Sequence, residues 1–415
     1  DDYWKWLKLD GTQDGDPPPE RILDHVVIEH ADYGIYATYA SNFNLTNSTV
    51  QNCLQNLYLS HSDAYIDGNV IANASGSAFN AHGIYLYSSS PSFYNNTISN
   101  NTVAGVYCYN YSSPEFGSST SSTYGLNELN GNDHGIYANY YSNPFLGDTI
   151  PDTEGTYRLG GYNSIHDNAS SAVKAVENCD IQAQYNWWGM YPVEAGIFDI
   201  EEGSTIDYAN ALTYDPVNDD PQSLTTGKIN TTREMGSALM SGHQGFNPAG
   251  GENFTPRELL RLAKKLRIQQ TPKLAIPVYK QLLTQYPNRV EARWGLIELI
   301  STFKEARLDS SVHFLRRLQN THPSGKMIRI ASDLLTVEHL QKKNASQAIA
   351  NARQILTNYP NREKIALFDL LNIFLHFRED SLQAQGYLTQ LEQKYPNDPL
   401  TWHGQMLLNS GGMST

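Results

Sequence analysis

Apolar and polar residues alternate in short segments throughout the first half of the chain, and one of these segments returns in variant form. It first occurs as Gly34-Ile35-Tyr36-Ala37. Five further copies begin at residues 56, 83, 105, 135 and 172, at intervals of 22, 27, 22, 30 and 37 residues. Because side chains alternate between the two faces of a strand, Ile35 and Ala37 point one way and Tyr36 points the other. One strand-containing unit per repeat, with loops of variable length, predicts a solenoid.

The two apolar positions of the repeat predict its interior. The first column comprises Ile35, Leu57, Ile84, Val106, Ile136 and Val173, and the second comprises Ala37, Leu59, Leu86, Cys108, Ala138 and Ala175. Before most copies, an aliphatic residue is followed two positions later by a polar one, as in Ile71 and Asn73. Since Asn tolerates left-handed backbone, these polar residues are predicted to be stacked turn positions that bond to the adjacent coil.

The position between the two apolar columns predicts an aromatic ladder on the outside of the solenoid. Parallel strands stack about 4.8 Å apart, so successive tyrosines lie above one another. Rings with outward hydroxyls suit sugars or a flat protein partner, whereas a purely structural role for the stacked rings stays open. The tyrosines predicted to bind a ligand are Tyr36, Tyr58, Tyr85, Tyr87, Tyr107, Tyr109 and Tyr137.

The repeat region ends near Tyr185-Asn186-Trp187-Trp188-Gly189, in which two tryptophans can cover the end of a core. The repeated segments and this ending resemble the right-handed parallel β-helix of pectate-lyase-like and NosD-like repeat proteins. The resemblance implies an all-β β-helix domain over residues 1–214. It also implies carbohydrate chemistry, because the family includes lyases, hydrolases and epimerases that act on uronate polysaccharides.

The charge is unevenly distributed and limits that chemistry. The chain has a net charge of −14; residues 1–214 contain 5 Lys and Arg against 25 Asp and Glu, and residues 215–415 contain 24 against 18. Reactions at uronates need a cation to neutralise the carboxylate beside the reacting carbon. An acidic domain also repels polyanions. The charge therefore disfavours both a uronate-processing enzyme and a nucleic-acid partner.

Acidic side chains provide few candidate sites. Hydrolysis of a neutral glycan requires a facing pair of carboxylates. Asp63 and Asp67 form the best cluster for it, although they fall at a predicted coil turn and a role as solvated loop residues is the alternative. The sequence therefore favours a non-catalytic protein.

One loop approaches a calcium-binding pattern through Asp10, Asp14 and Asp16. Arg21 occupies the position at which a bidentate Glu would be needed, so calcium is a weak cofactor candidate. Another cofactor is not expected.

Residues 215–254 are rich in Gly, Pro, Ser, Thr and Asn and predict a linker. At Thr255 the apolar period changes to 3.6 residues, and Thr255-Pro256-Arg257-Glu258 predicts a capped helix start. Prolines then recur at residues 287, 323, 360 and 396, at intervals of 36, 37 and 36 residues. Small residues that allow close helix crossing lie twelve positions before each proline: Ala275, Ser311, Ala348 and Ala384.

These helical units resemble tetratricopeptide repeats, although Ile297 and Thr336 occupy positions near which that family has Gly. The resemblance implies an all-α array of helical hairpins over residues 255–415. A peptide groove of the usual kind is less well supported by it.

No apolar run in the sequence reaches the roughly 18 residues of a membrane span, so no membrane span is expected. We expect a non-catalytic, bacterial, secreted and processed scaffold or binding protein, extracellular or on the cell surface. The expected partners are other surface proteins, copies of the chain itself or a polysaccharide, with the helical domain docking on a β-helix of the same or the next chain. A carbohydrate-active enzyme and a pure carbohydrate-binding protein are the open alternatives.

Overall fold

The molecule consists of a right-handed parallel β-helix followed by an all-α domain, as predicted. The computed structural model describes residues 4–11, 20–40, 43–76, 80–119, 123–152, 155–201, 203–219, 254–268, 271–321 and 326–411. Most of the predicted linker, residues 220–253, lies outside the described residues. The predicted domain boundaries therefore stay predictions.

Successive coils place their strands in three sheets, A, B and C, with strands numbered in chain order. Sheet A is ordered β1 (Trp4–Asp10), β4 (Ala31–Thr38), β7 (Gln55–Ser60), β10 (His82–Tyr87), β13 (Ala104–Tyr109), β16 (His134–Asn139), β20 (Ser171–Val176) and β22 (Phe198–Ile200). Sheet B is ordered β2 (Arg21–Asp24), β5 (Phe43–Thr46), β8 (Ala64–Asp67), β11 (Ser92–Tyr94), β14 (Glu115–Phe116), β17 (Phe145–Asp152), β21 (Asp180–Ala183) and β23 (Thr205–Asp207), and β18 (Gly155–Leu159) pairs antiparallel with β17. Sheet C is ordered β19 (Ser164–His166), β15 (Glu128–Asn130), β12 (Thr97–Ser99), β9 (Val70–Ala72), β6 (Thr49–Gln51) and β3 (Val27–Glu29).

The predicted interior of the β-helix is confirmed. Strand registers stack Ile35 on Leu57 and Leu57 on Ile84, so that like residues repeat along the axis. Every member of the two predicted apolar columns is fully buried. Sheet B adds aromatic packing, since the rings of Phe93 and Phe116 stack with centroids 4.8 Å apart. Local alternation is sufficient for this result, because each strand needs only one apolar face toward the core.

The predicted turn positions adopt the left-handed backbone, with φ between 51° and 58° at His30, Asn52, Asn73, Asn100 and Asp167. The side-chain ladders, however, are formed by other asparagines. In each ladder, a side-chain oxygen accepts the backbone N–H of the Asn in the preceding coil at 3.0–3.1 Å. The first ladder comprises Asn69, Asn96, Asn127, Asn163 and Asn186, and the second comprises Asn101, Asn132 and Asn168.

The two tryptophans near the end of the β-helix have different positions. Trp188 is buried in the core and meets Phe198 edge to face, with centroids 4.9 Å apart. Trp187 is half-buried and packs in a separate cluster with Tyr162 and Tyr185. Only Trp188 therefore fills the core beneath the last coil.

The helices form the predicted array of hairpins. They are α1 (Pro256–Ile268), α2 (Pro272–Gln285), α3 (Val290–Glu305), α4 (Ser311–Thr321), α5 (Lys326–Gln341), α6 (Ala345–Asn358), α7 (Glu363–His376), α8 (Ser381–Lys394) and α9 (Pro399–Gly411). The predicted capping box is present: the Thr255 N–H donates to the Glu258 carboxylate at 2.7 Å, and the Glu258 N–H donates to Thr255 Oγ1 at 3.3 Å. The four small residues predicted at helix crossings are all buried.

The helical domain packs on the outer face of sheet A in the same chain. Side chains of α3, α5, α7 and α9 make the contacts described below. The contact surface contains two clusters of buried aromatic and aliphatic side chains. Packing of large tyrosines against apolar helix faces therefore holds the domains together more than the opposite net charges do.

Candidate functional site

The predicted tyrosine ladder exists. Registers place Tyr36, Tyr58, Tyr85, Tyr107 and Tyr137 in one outward column of sheet A. The rings of Tyr36 and Tyr58 are nearly parallel, with centroids 4.9 Å apart, and the Tyr58 and Tyr85 centroids are 5.3 Å apart. The ladder thus follows from the coil spacing, as the sequence indicates.

The ladder is covered by the chain's own helices, a point that the sequence left open. The tyrosines share an apolar cluster with α7, α8 and α9 through residues such as Phe368 and Leu400. Among the seven predicted binding residues, Tyr36, Tyr58, Tyr85, Tyr87, Tyr107 and Tyr109 are buried, and Tyr137 is half-buried. External ligand binding by the ladder stays a prediction for the undocked molecule.

A buried ion pair of the helical domain lies at the contact with the β-helix. Asp333 of α5 and Arg362 lie 3.0 Å apart and are almost fully buried. Tyr111 of the β-helix donates its hydroxyl to Asp333 at 2.9 Å, and Arg362 donates to the Asn110 side-chain oxygen at 3.2 Å. The guanidinium also lies 3.6 Å from the ring centre of Tyr140. The two charges are therefore matched within the helical domain, as buried charges require, and side chains of the β-helix add hydrogen bonds to them.

A second carboxyl lies at the interface without such a cation beside it. Asp369 of α7 accepts the hydroxyl hydrogen of Tyr87 at 2.7 Å. Burial raises the pKa of Asp369 to about 7, although the Tyr87 hydrogen bond acts in the opposite direction. This carboxyl therefore changes charge near neutral pH.

Histidines from the two domains lie close together at two places in this interface. The ring of Tyr39 is 4.7 Å from that of His61 in the β-helix and 6.5 Å from that of His376 in α7. The ring of Tyr85 is 5.6 Å from that of His82 in the β-helix and 4.4 Å from that of His403 in α9. Each place thus brings one histidine from each domain to a shared tyrosine.

The carboxyls predicted as weak catalytic candidates belong to turn contacts between coils. Asp63 precedes β8 and accepts the Ser90 N–H at 2.7 Å. Asp67 ends β8 and accepts from Asn95 at 2.8 Å and from the Tyr65 hydroxyl at 3.0 Å. An extended run of four residues separates the two positions by about 13 Å, more than the spacing of a glycosidase acid pair. Both carboxyls thus have structural contacts, and a catalytic role for them stays a prediction.

Of the calcium candidates, Asp14 and Asp16 lie outside the described residues. Asp10 forms an ion pair with Lys8 at 3.1 Å and lies 3.9 Å from His376. Among the residues that the structure describes, no group of three His, Cys, Asp or Glu side chains could hold a metal ion. Calcium stays a prediction.

A cleft of about 690 Å³ opens beside the domain contact, where sheet B faces α1, α3 and α5. Its floor follows four neighbouring strands of sheet B through Ser92, Glu115, Phe145 and Gln182. Three coil spacings give this floor a length of about 14 Å. The volume falls in the usual range of small-ligand sites. The cleft could not be predicted from the sequence, because the two walls of the cleft come from segments more than 70 residues apart.

The two walls of the cleft differ in chemistry. The β-helix wall presents hydroxyls, amides and carboxylates: Asp63, Ser88, Ser90, Ser92, Ser113, Glu115, Ser119, Asn143, Asp148, Thr149, Asp180 and Gln182. The helical wall presents aliphatic side chains and paired charges: Leu262, Lys264, Arg267, Ile297, Glu298, Ile300, Lys304, Leu334, Val337 and Glu338. Arg267 and Lys264 contact Glu298, and Lys304 lies 3.0 Å from Glu338. Six carboxylates against three cations leave the cleft acidic.

Glu115 is the most enclosed carboxyl of the β-helix wall. Burial raises its pKa, the hydrogen bonds from Ser119 and the nearby charge of Arg267 act in the opposite direction, and the charge of Glu298 adds a smaller increase. Its place in β14 aims it at the cleft rather than at the core. In the sequence, Glu115 is a charged residue on the outer face of a short strand. That signal is present but not distinctive.

Comparison with known proteins identifies one part of the chain. The family model described as a right handed beta helix region matches residues 19–121, about a quarter of the sequence. Comparisons with curated proteins and with solved structures returned no match. In the described part of the chain, no helix has the length and apolar character needed to cross a bilayer.

Proposed function

We propose that this chain is a non-catalytic, glycan-binding scaffold protein, extracellular or on the cell surface, that holds a neutral glycan segment in the cleft between its domains. The cleft carries this proposal, because it is the open concave surface to which both domains contribute. The β-helix match supports a repeat-protein or carbohydrate-related role. The tetratricopeptide-like and NosD-like assignments are part of the proposal.

The chemistry of the two walls supports a neutral glycan. Sugar hydroxyls both donate and accept hydrogen bonds, which suits a wall of serines, amides and carboxylates. The apolar face of a sugar ring suits the aliphatic side chains of Ile297, Ile300 and Val337 on the opposite wall. The excess of carboxylates disfavours uronates and other anionic polymers.

A panel of neutral, amino and uronic-acid oligosaccharides, measured by calorimetry, tests this proposal. We expect binding of a neutral oligosaccharide and none of a uronate. Ser92→Tyr, which places a ring on the cleft floor, should weaken that binding at least tenfold. Asn44→Tyr is the matched control, because Asn44 and Ser92 flank Tyr65 in the same outward column of sheet B. Preference for uronates, or equal loss in both variants, would contradict the proposal.

The rival function is a glycoside hydrolase, and Glu115 is the observation that favours it. Burial raises the pKa of this carboxyl, which is the direction that general-acid catalysis of glycoside hydrolysis requires. Product analysis after long incubation with the bound oligosaccharide separates the two functions. Cleavage that Glu115→Gln abolishes and Asp63→Asn leaves intact would establish the hydrolase.

A further inference from the structure

We propose that the paired histidines at the domain interface form an acid-operated release, so that mild acid separates the helical domain from the β-helix. The helices that form one wall of the cleft would then move away, and a bound glycan would be released. Only this release of glycan rests on the proposed function. Separation of the domains can be tested without any ligand.

The geometry places two protonatable rings where two added charges would be close together. His61 and His376 approach the same tyrosine, Tyr39, from opposite domains. His82 and His403 likewise approach Tyr85. All four histidines are buried in the docked state. Protonation of one pair would bury two like charges beside each other, which is unfavourable in a low-dielectric contact.

Other charged groups around these histidines do not reverse the effect. Asp10 lies 3.9 Å from His376 and favours its protonation, whereas Lys8 disfavours it. Asp398 acts at longer range on the tyrosines around His403. Burial lowers the pKa of His376 to about 4 even so. The same cause lowers the pKa of both His61 and His403 to about 3, and each is further disfavoured by the histidine of the other domain.

The direction of the pH effect follows from these shifts. A histidine whose pKa is lowered by docking binds fewer protons when docked, so its contribution to docking is lost as the pH falls below about 6.5. If undocking restores ordinary pKa values, each of His61, His376 and His403 disfavours docking about 20-fold at pH 5 relative to pH 7. Asp369 has the opposite sign and favours docking about 50-fold over the same interval. The combined effect of these four groups is a loss of roughly 200-fold in the docking equilibrium, which the raised pKa of Asp333 reduces.

The tyrosine side chains of sheet A can also be hydrated when the helical domain separates. The hydroxyls of Tyr36 and Tyr85 are buried without a hydrogen-bond partner among the described residues. Buried hydroxyls of this kind favour hydration when the helices leave. The two asparagine ladders, one from Asn69 to Asn186 and one from Asn101 to Asn168, lie wholly within the β-helix. The solenoid therefore keeps these hydrogen bonds between coils after the helical domain separates.

The test measures an interdomain distance as a function of pH in the full chain. Val27→Cys and Leu382→Cys introduce labelling sites at exposed positions on the two domains, and the three native cysteines are buried. We expect one short distance at pH 7.5, and a longer, broader distribution below about pH 5.5 with unchanged far-ultraviolet circular dichroism. Return to pH 7.5 should restore the short distance.

Variants separate histidine protonation from general acid sensitivity. His61→Phe with His403→Phe keeps ring packing and removes two titrating groups, so the transition should move at least one pH unit lower. His403→Phe alone should move it by about half as much. His313→Phe, at an exposed position of α4, should leave it unchanged. A distance that stays short to pH 4.5, loss of secondary structure at the same pH, or an unshifted transition in the double variant would each overturn the proposal.

Discussion

Sheets A and B belong to the same solenoid, yet the helices cover the outer face of sheet A and leave a cleft over that of sheet B. Sheet A carries a column of tyrosines that the helices cover, and sheet B carries serines and carboxylates from which the helices stand apart. The coil spacing is the same for both faces, so side-chain size makes the difference. Large rings reach the helices and exclude water, whereas small polar side chains leave the cleft open. The docked face and the open cleft thus lie on adjacent faces of one solenoid that differ in side-chain composition.

The comparison predicts that the helical surface packed on sheet A is sensitive to loss of its buried charges. Arg362→Leu leaves Asp333 buried without its cation, and we expect the free energy of unfolding to fall by about 3–5 kcal/mol. Chemical denaturation monitored by circular dichroism measures this change. Arg353→Leu removes an exposed arginine of α6 and should cost less than about 1 kcal/mol. Equal effects would show that the buried pair does not stabilise the folded chain.

Truncating one tyrosine on each face sharpens the comparison. Tyr58 is 1% exposed in sheet A, whereas Tyr65 is 42% exposed in sheet B. We expect Tyr58→Ala to lower stability by about 3 kcal/mol, because it leaves a cavity under the helices. Tyr65→Ala should cost less than about 1 kcal/mol. Thermal unfolding of the two variants measures this difference. Similar midpoints would contradict the conclusion that the helices cover sheet A and leave sheet B open.

Asp369 allows the interface to be strengthened. Its raised pKa means that the folded protein binds a proton more tightly than the unfolded chain, so stability falls as the pH rises from about 4 to about 7. Asp369→Asn keeps an acceptor for Tyr87 and removes this ionisation. We expect a gain of about 1–3 kcal/mol at pH 8 and a smaller gain at pH 5. Urea titrations at both values measure it, with the exposed Asp309→Asn as control.

The smallest expected difference in stability is between substitutions of two neighbouring serines in one coil. Ser89 is buried and accepts the Ser62 N–H at 2.9 Å, whereas Ser90 is exposed and accepts the Ser113 N–H at 3.0 Å. Ser89→Ala leaves a buried donor unpaired and should cost about 1–2 kcal/mol. Ser90→Ala should cost less than about 0.5 kcal/mol, because water can replace the lost acceptor. Denaturation midpoints that reverse this order would disprove the argument.

The sequence predicted those features that depend on local alternation. Ile35 and Ala37 had to be inside because each strand has one core face, and Asn73 had to turn because its neighbours form strands. The ladders were displaced from the expected positions, since Asn101 rather than Asn100 points along the axis. Local patterns identify a turn but do not determine which of two adjacent side chains enters the stack.

The covered face and the cleft could not be predicted in the same way. Tyr87 meets Asp369 across 282 residues of sequence, and Glu115 faces a helical wall that starts beyond residue 250. An outward tyrosine has the same local pattern whether water, a sugar or a helix covers it. Docking depends on the shapes of two complete solenoids, which no single segment encodes.

The tyrosine ladder has an optical consequence. The Tyr36 ring lies 5.2 Å from Trp6 of the same domain, and the Tyr33 ring lies 6.0 Å from Trp402 of the helical domain. At these separations an excited tyrosine passes its energy to tryptophan, so the docked molecule emits mostly at tryptophan wavelengths. Departure of the helices removes the Trp402 acceptor and hydrates the rings. The position of the helical domain is therefore recorded in the intrinsic ultraviolet emission of the chain.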